Sequence, residues 1–233
     1  TISKDEGTLS ITKRGGEGKT ITVTANSGEK VYDGAPLTNN GHTHAGALVE
    51  GDTLTAVVEG SQTDVGSSDN VVTSYKVMRG ETDVTNNYTF GEPIIGTLTV
   101  TPVAIELTAA SASKQYDGTP LTKNDYEISN GAFVGEEGLA SVTVVGSQTL
   151  VGESANKITA HSLKGNTLAQ NYTITYQPGK LTVTKNEKAI TVTANSHTWE
   201  YDGQPHSDGG YTVEYDGQTY KVEAGKTVTL QTG

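Results

Sequence analysis

Hydrophobic and polar residues alternate along several short stretches of the chain. Every second residue is apolar in TITVTA at 20–25 and AITVTA at 189–194, and the same holds in GTLTVT at 96–101 and GKLTVT at 179–184. A period of two residues places the apolar side chains on one face of a β-strand. No amphipathic helix of ten residues or more accompanies these stretches. The pattern therefore predicts an all-β, mainly antiparallel fold.

One strand pair is predicted from its turn. The stretch 213–222 has Asp216-Gly217 at its centre, with alternating residues on both sides. An Asp-Gly pair favours the two-residue turns in which both central residues have positive φ. We therefore expect a β-hairpin at this position.

Three stretches of the chain are close copies of one another. They are KTITVTANSGEKVYDGAPLT at 19–38, VAIELTAASASKQYDGTPLT at 103–122 and KAITVTANSHTWEYDGQPHS at 188–207. In the first two copies the motifs GSQTxVG, NYT and GxLTVT follow in the same order. The motif tyrosines lie at 32, 116 and 201, so the period is 84 to 85 residues. This period is too long for a solenoid repeat and suits small domains.

The repeat predicts the domain boundaries. GTLSIT at 7–12 matches the closing GxLTVT segment, and Pro102 joins the first two copies with almost no slack, which favours a stiff joint. We expect tandem small β-domains in an elongated array, each with an immunoglobulin-like sandwich or a β-grasp-like sheet. The predicted segments are 1–12, the closing strand of a preceding repeat; 13–18, a flexible linker; 19–102 and 103–186, two complete repeats; and 187–233, the N-terminal part of a third.

Composition narrows the classes of function. The chain has no cysteine, which excludes disulfides, cysteine-ligated metals and thiol nucleophiles. Its net charge of -11 repels phosphate backbones and anionic lipids, so we expect no nucleic-acid partner. No apolar run approaches the roughly 20 residues that span a bilayer, so we expect no membrane insertion. The 28 glycines and 11 tyrosines suit strands joined by glycine turns.

A Tyr-Asp-Gly motif occurs once in each copy and predicts a turn. An aspartate can accept backbone N–H groups ahead of it, glycine adopts positive φ, and the proline two residues later ends strand pairing. A catalytic pair needs two convergent carboxylates, whereas each copy supplies one here. We therefore predict a structural role for Tyr32, Asp33, Gly34, Tyr116, Asp117, Gly118, Tyr201, Asp202 and Gly203.

The sequence predicts no catalytic, cofactor-binding or metal-binding residues. His42 and His44 share one face of a predicted strand, but a zinc site needs three or four ligands and no third is near in sequence. Nucleophile-elbow, P-loop, dinucleotide-binding and HExxH motifs are all absent. We expect a protein that is not an enzyme and needs no cofactor.

The NYT motifs beginning at Asn87 and Asn171 match the N-glycosylation pattern. Their fixed place before a strand is better explained by a turn in which the asparagine adopts the left-handed region. A lysine–asparagine cross-link, from Lys30 or Lys114 to either asparagine, stays open because it needs a buried lysine assisted by a carboxylate. We expect Glu200 to replace the lysine in the third copy.

The ordered set KxYDGxPLT, GSQTxVG, NYT and GxLTVT resembles the YDG/MBG-type repeats found in tandem in large bacterial surface adhesins. The likeness extends from residue 7 to about residue 207, and the third copy departs from it by reading YDGQPHS. The resemblance implies an extracellular stalk at the bacterial cell surface or cell wall, which holds a separate adhesive tip away from the cell. It also implies a monomer whose partners are the neighbouring repeats of the same chain.

Two other functions stay open. The repeats themselves could bind a host or environmental glycan or protein, because exposed aromatic rings are common contacts for both. The candidate ligand contacts are Trp199, Tyr211, Tyr215 and Tyr220, together with Tyr201 of the turn motif. Packing within a sheet explains the same rings equally well. The second alternative, accessory repeats of a large secreted enzyme, rests on fold analogy alone.

Overall fold

The computed structural model describes residues 7–230, and its regular structure is almost entirely β-strand. No α-helix occurs in this range, so the all-β prediction is confirmed, and no helix there is long and apolar enough to cross a membrane. The strands are β1 (Thr22–Ala25), β2 (Gly28–Val31), β3 (His42–Ala45), β4 (Asp52–Glu59), β5 (Gly66–Arg79), β6 (Thr82–Asp83), β7 (Gly96–Thr101), β8 (Val103–Ala109), β9 (Ala112–Gln115), β10 (Tyr126–Asn130), β11 (Leu139–Val145), β12 (Gly152–Leu163), β13 (Tyr172–Gln177), β14 (Gly179–Thr184), β15 (Ile190–Ala194), β16 (Tyr211–Tyr215) and β17 (Gln218–Val222). Two three-residue 3-10 helices, Thr85–Asn87 and Ala169–Asn171, precede the tyrosines of the NYT motifs.

The chain divides into two compact units. The first consists of the described part of Thr1–Ile105 together with Asn130–Ala140 and Leu163–Thr175. The second consists of Glu106–Ser129, Ser141–Ser162 and the described part of Tyr176–Gly233. The first unit thus contains the first predicted copy and also three segments of the second copy, the first of which is 103–105. The repeat boundaries inferred from the sequence stay predictions.

Strands of the first copy form two sheets. β1 pairs antiparallel with β3, and the larger sheet has the order β2-β7-β5-β4, with β6 paired to β5. In the larger sheet β5 is antiparallel to β4 and to β7, whereas β2 is parallel to β7. The closing strand β7 therefore lies between β2 and β5, the second and the fifth strand of the same copy. This parallel pair makes the sheet mixed, a feature that alternation of residues does not predict.

The core of the first unit lies under β1. Ile21, Val23 and Ala25 are buried, while the threonines between them are partly exposed. Burying apolar side chains of this size stabilises the fold by about 1.5–3 kcal/mol for each valine or isoleucine. The other buried members of this core are Val58, Val72, Val77 and Tyr88. The alternation at 20–25 thus marks a strand with one buried face, as predicted.

Strands of the second copy repeat these pairings. β14 pairs antiparallel with β12 and parallel with β9, as β7 does with β5 and β2. A four-stranded sheet has the order β11-β12-β14-β9, and a three-stranded one has the order β10-β8-β13. In β8 the buried residues are Ile105, Leu107 and Ala109, at the positions that correspond to Ile21, Val23 and Ala25 of the first copy.

The described part of the third copy is a three-stranded antiparallel sheet of order β15-β16-β17. Tyr215 pairs with Gln218, and Asp216 and Gly217 have φ of 51° and 74°, so the predicted two-residue hairpin is confirmed. Ile190 and Val192 are 56% and 62% exposed, although the corresponding side chains of the first two copies are buried. Residues 187–230 contain no counterparts of β5 and β7, the strands that complete the fold of the first copy.

The segment 7–12 forms no strand, although a closing strand is expected at 1–12. Leu9 and Ile11 are fully exposed, and no described strand lies beside them. An extended segment needs a partner to satisfy its backbone hydrogen bonds, so the sequence pattern alone does not produce a strand here. Residues 1–6 of this prediction, and residues 231–233 of the third repeat, lie outside the described residues.

Candidate functional site

Each Tyr-Asp-Gly motif forms a turn. In every copy the aspartate Oδ1 accepts the backbone N–H of the residue two positions later at 2.9 Å, the donors being Ala35, Thr119 and Gln204. The three glycines have φ between 74° and 81°, in the left-handed region that favours glycine. The aspartates thus act on their own backbone, as the turn interpretation requires.

A lysine closes this turn in the first two copies. Lys30 Nζ donates to Asp33 Oδ1 and to the carbonyl of Ala35, both at 2.5 Å. Lys114 makes the same contacts in the second copy, at 2.7 Å to Asp117 Oδ1 and 2.7 Å to the carbonyl of Thr119. The hydrogen bond from the lysine is the main cause that lowers the pKa of each aspartate.

The third copy closes its turn with different chemistry. Trp199, and not Glu200 as expected, stands two residues before Tyr201, at the position of the lysines. His206 Nε2 contacts Asp202 Oδ1 at 2.8 Å, and the rings of Trp199 and His206 stack with centroids 5.1 Å apart. The Gln204 N–H, and then His206, lower the pKa of Asp202. An imidazole therefore replaces the ammonium group in this copy.

Two tyrosines share one carboxylate inside the first unit. The Tyr172 hydroxyl donates to Glu137 and accepts the backbone N–H of Val134 at 3.0 Å. The Tyr32 hydroxyl donates to the other Glu137 oxygen at 3.0 Å, and the two rings meet edge to face with centroids 5.8 Å apart. Burial, and then the bond to Glu137, raise the pKa of Tyr172 to about 12 and raise that of Tyr32 as well. Both oxygens of this carboxylate therefore have a donor.

Asn171 makes a second contact in the same unit. Its side chain is fully buried, Nδ2 donates to Asp64 Oδ1 at 2.9 Å, and Oδ1 accepts the Val65 N–H at 2.9 Å. Asp64 and Val65 belong to GSQTDVG of the first copy, whereas Asn171 belongs to NYT of the second copy. We call the six residues Tyr32, Asp64, Val65, Glu137, Asn171 and Tyr172 the junction. It joins three of the recurring motifs across two copies.

The left-handed backbone conformation predicted for the two NYT asparagines is wrong. Asn87 and Asn171 end the two 3-10 helices, and within residues 7–230 the only non-glycine residue with positive φ is Asp216. The turn itself is present, but it is built by the helix and not by a left-handed asparagine. Lys30 and Lys114 each donate to the aspartate of their own turn, Asp33 and Asp117. Neither of these hydrogen bonds brings a lysine to an NYT asparagine, so the cross-link stays a hypothesis.

The first copy has an open counterpart of the junction. The Tyr88 hydroxyl donates to Asp52 Oδ2 at 2.5 Å and accepts the Val49 N–H at 2.9 Å, as Tyr172 does with Glu137 and Val134. Arg79 donates from Nε to Asp52 Oδ1 at 2.6 Å and from Nη2 to Asp52 Oδ2 at 3.1 Å. Hydrogen bonding from Arg79 is the main cause that lowers the pKa of Asp52. A cavity of about 470 Å³, here called the Asp52 cavity, lies beside these groups and Asn87. Asn87 is exposed, unlike Asn171.

A buried asparagine that the sequence pattern did not reveal explains the glycine of the GSQT motif. Asn156 Nδ2 donates to the carbonyls of Ala110 and Lys123 at 2.8 and 2.7 Å. A Cβ on Gly146 would lie 2.4 Å from Asn156 Oδ1, so only glycine fits there. Asn70 and Gly60 are arranged in the same way. The available signal was an asparagine ten residues after the motif glycine in both copies.

The candidate ligand-contact aromatics do not form one surface. Tyr215 is buried and its hydroxyl accepts from Asn186 Nδ2 at 3.1 Å. Tyr211 and Tyr220 are half-buried on the same face of the β16-β17 pair as Tyr215. Trp199 lies outside this hairpin, in a segment without strands, and is 41% exposed. The three tyrosines therefore have a packing role in the sheet, and Trp199 stacks on a histidine.

Among the described residues, no group of three or more histidine, aspartate or glutamate side chains is placed to hold a metal ion. Comparisons with protein-family models, with curated proteins and with solved structures give no match. The resemblance to YDG/MBG-type repeats therefore stays a prediction that rests on the motifs.

Proposed function

We propose that this chain is a structural spacer: tandem β-domains forming a stalk segment of a bacterial surface adhesin, outside the cell, which holds an adhesive tip away from the surface. The observation that carries the proposal is the junction. It uses the turn tyrosine and the GSQTxVG segment of one copy, and the asparagine and tyrosine of the NYT motif of the next.

The junction supports a spacer because it restrains more than a linker does. Pro102 shortens the connection between the copies, but a short connection by itself leaves rotation free. Tyr32 and Asn171 add directional hydrogen bonds to Glu137, Asp64 and Val65. A hydrogen bond to a charged group contributes about 1.5–3 kcal/mol, so two such bonds oppose bending appreciably.

The chemistry of the acidic groups also supports a structural role. Glu137 accepts from two tyrosines, and Asp52 accepts from Tyr88 and pairs with Arg79. Each oxygen of these two carboxylates already accepts a hydrogen bond from another side chain of the protein, which favours a positioning role over acid–base chemistry. Their environment is suited to holding side chains in place.

Small-angle X-ray scattering on the purified chain tests the proposal. Two end-to-end copies of strands about ten residues long extend about 70–80 Å, and the partial third copy adds to this length, so we expect a maximum dimension above 80 Å and a rod-like profile. Asn171→Ala should broaden the distribution of distances, whereas its sequence counterpart Asn87→Ala should leave it unchanged. A radius of gyration of about 17–18 Å, as for one compact domain of this length, would contradict the spacer function. Labelling of intact source cells with an antibody to the chain tests its location.

Direct ligand binding is a second candidate because two aromatic side chains of the third copy are exposed. Tyr201 is 98% exposed and Trp199 is 41% exposed, within three positions of each other. Rings of this kind stack on sugars and anchor protein contacts. A glycan array with the chain and with Trp199→Ala separates the candidates: binding that the substitution abolishes favours a binding module, and an empty array favours the spacer.

A further inference from the structure

The second copy has a largely apolar groove where its chain passes from one sheet to the other. The groove is lined by Lys157 and Ile158 of β12 and by Tyr176 and Gln177 of β13, together with Pro178. β12 belongs to the four-stranded sheet and β13 to the three-stranded one, and Pro178 separates β13 from β14. The volume of the groove is about 180 Å³. We call these five residues the Tyr176 groove.

The first copy has different residues at the matching positions. Counting from the NYT motif, Tyr176 corresponds to Glu92. Lys157 corresponds to Val71, since each of them follows the buried asparagine of its copy. Elsewhere the two copies share their ordered motifs and the pairings of the closing strand. The groove is therefore particular to the second copy, and the framework that the copies share does not account for it.

Tyr176 is exposed and yet held in position. It is 37% exposed, and its hydroxyl is hydrogen-bonded to His161 Nδ1. The two rings meet edge to face with centroids 5.9 Å apart. A tyrosine that only fills a core buries its ring, whereas this one presents ring surface to solvent. Because its hydroxyl and its orientation are already fixed, a ligand that stacks on the ring costs little side-chain freedom.

Two polar side chains line the groove beside this ring. Gln177 Nε2 donates to Glu106 Oε2 at 3.0 Å, which holds the amide and leaves Gln177 Oε1 to accept from a ligand. Glu106 Oε1 accepts from Ser129 Oγ at 3.0 Å, so both oxygens of this carboxylate are engaged. Lys157 is exposed, and none of the ion pairs formed within residues 7–230 involves it. The groove thus combines an ammonium donor with an amide acceptor.

This combination matches the chemistry of a pyranose sugar. The C–H face of such a sugar packs on an aromatic ring, and each hydroxyl both donates and accepts a hydrogen bond. Ile158 is 6% exposed and supplies an apolar base. A proline-rich peptide fits less well, because its backbone has carbonyl acceptors and no N–H to satisfy the Gln177 oxygen. Pockets for drug-sized ligands span roughly 300–1,000 Å³, so this smaller groove suits a single ring.

We propose that the Tyr176 groove binds one uncharged pyranose unit of a glycan or polysaccharide. The sugar ring stacks on Tyr176, Lys157 Nζ donates to one hydroxyl, and Gln177 Oε1 accepts from another. His161 is a positioning residue, because it holds Tyr176 and does not line the groove. An uncharged sugar is favoured because the chain has a net charge of -11 and the Glu106 carboxylate lies next to Gln177. The site does not depend on the spacer function.

An NMR titration of the isotope-labelled full chain tests the proposal. The probes are the methyl glycosides of glucose, galactose, mannose, N-acetylglucosamine, N-acetylgalactosamine and fucose, at millimolar concentrations because a single ring makes few contacts. We expect at least one probe to shift the backbone amide signals of Lys157, Tyr176 and Gln177 in a saturable way. The methyl glycoside of glucuronic acid, which carries a carboxylate, should bind severalfold more weakly than the best uncharged probe.

Substitutions in the groove locate the site. Tyr176→Ala should weaken binding by about tenfold or more, whereas Tyr176→Phe keeps the ring and should bind nearly as well. Lys157→Ala should weaken binding severalfold, and because Lys157 is exposed, folding should be retained. Tyr126→Ala is the matched control, since Tyr126 is 39% exposed in the same copy and does not line the groove. This control and Trp199→Ala should bind like the unchanged chain.

Four results would overturn the proposal. The first is a titration in which no probe gives saturable shifts, and the second is binding that Tyr176→Ala and Lys157→Ala leave unchanged. The third is binding that Trp199→Ala abolishes, because it would place the sugar in the third copy. The fourth is a proline-rich peptide that shifts the groove amides when no glycoside does. None of these results contradicts the spacer function, because the titration measures binding and the scattering measures shape.

Discussion

Replacing Asn171 by alanine tests whether the junction stabilises the protein. The substitution removes the donor to Asp64 and the acceptor for the Val65 N–H, both in contacts of 2.9 Å. The bond to a carboxylate contributes about 1.5–3 kcal/mol and the neutral bond about 0.5–1.5 kcal/mol. Asp64 is half-buried and regains water when its partner is lost, which lowers the total. We expect a loss of about 2 kcal/mol.

Asn87→Ala is the matched control for this substitution. It changes the same residue of the same NYT motif, but the Asn87 side chain is exposed. Exposed substitutions of this kind change stability by about 0.5 kcal/mol or less. The difference between the two variants therefore isolates the buried contact from any effect of the local sequence.

Hydrogen exchange and urea denaturation together measure the effect. In Asn171→Ala the Val65 amide should lose protection by roughly tenfold or more, since each factor of ten corresponds to about 1.4 kcal/mol. A double-mutant cycle with Asp64→Ala should give a coupling energy of about 1 kcal/mol or more. Additive effects of the two substitutions, or equal stability of Asn171→Ala and Asn87→Ala, would refute the reasoning.

Three further predictions concern the turns, the GSQT motif and pH. Gly118→Val should lower the free energy of unfolding by about 1–2 kcal/mol because Gly118 has φ of 81°, whereas Gly165→Val, where a Cβ meets nothing within 4 Å and φ is not positive, should change the melting temperature little. Gly146→Ala should cost more than 1 kcal/mol in a denaturant titration, because the added Cβ overlaps Asn156. The raised pKa of Tyr172 means that the unfolded chain ionises first, so stability should fall as pH rises from about 10 to about 12, and Tyr172→Phe should reduce that slope.

The sequence alone predicted the strands, the turns and their repetition. Alternation at 20–25 and 179–184 required a sheet with one buried face, because side chains of a strand point to opposite sides in turn. The Asp216-Gly217 pair specified a two-residue hairpin, since both residues have to adopt positive φ. Strands and tight turns depend on the backbone conformations of a few consecutive residues, so a short stretch of sequence is enough to predict them.

The tertiary structure decided which of the equivalent residues are buried. The pentapeptide ITVTA occurs at 21–25 and 190–194, yet Ile21 and Val23 are 0% and 1% exposed while Ile190 and Val192 are 56% and 62% exposed. The alternation of residues likewise does not predict that the closing strands β7 and β14 pair in parallel with β2 and β9.

The NYT asparagines show the same limit at the junction. Asn87 and Asn171 share a motif and a 3-10 helix, but only Asn171 meets an aspartate and a backbone N–H of another copy. Burial and partnership depend on residues about a hundred positions away, brought together by folding. Identical local sequences therefore share their backbone preferences but differ in the residues around them. The contacts of the junction depend on those surrounding residues, so the motif alone does not predict them.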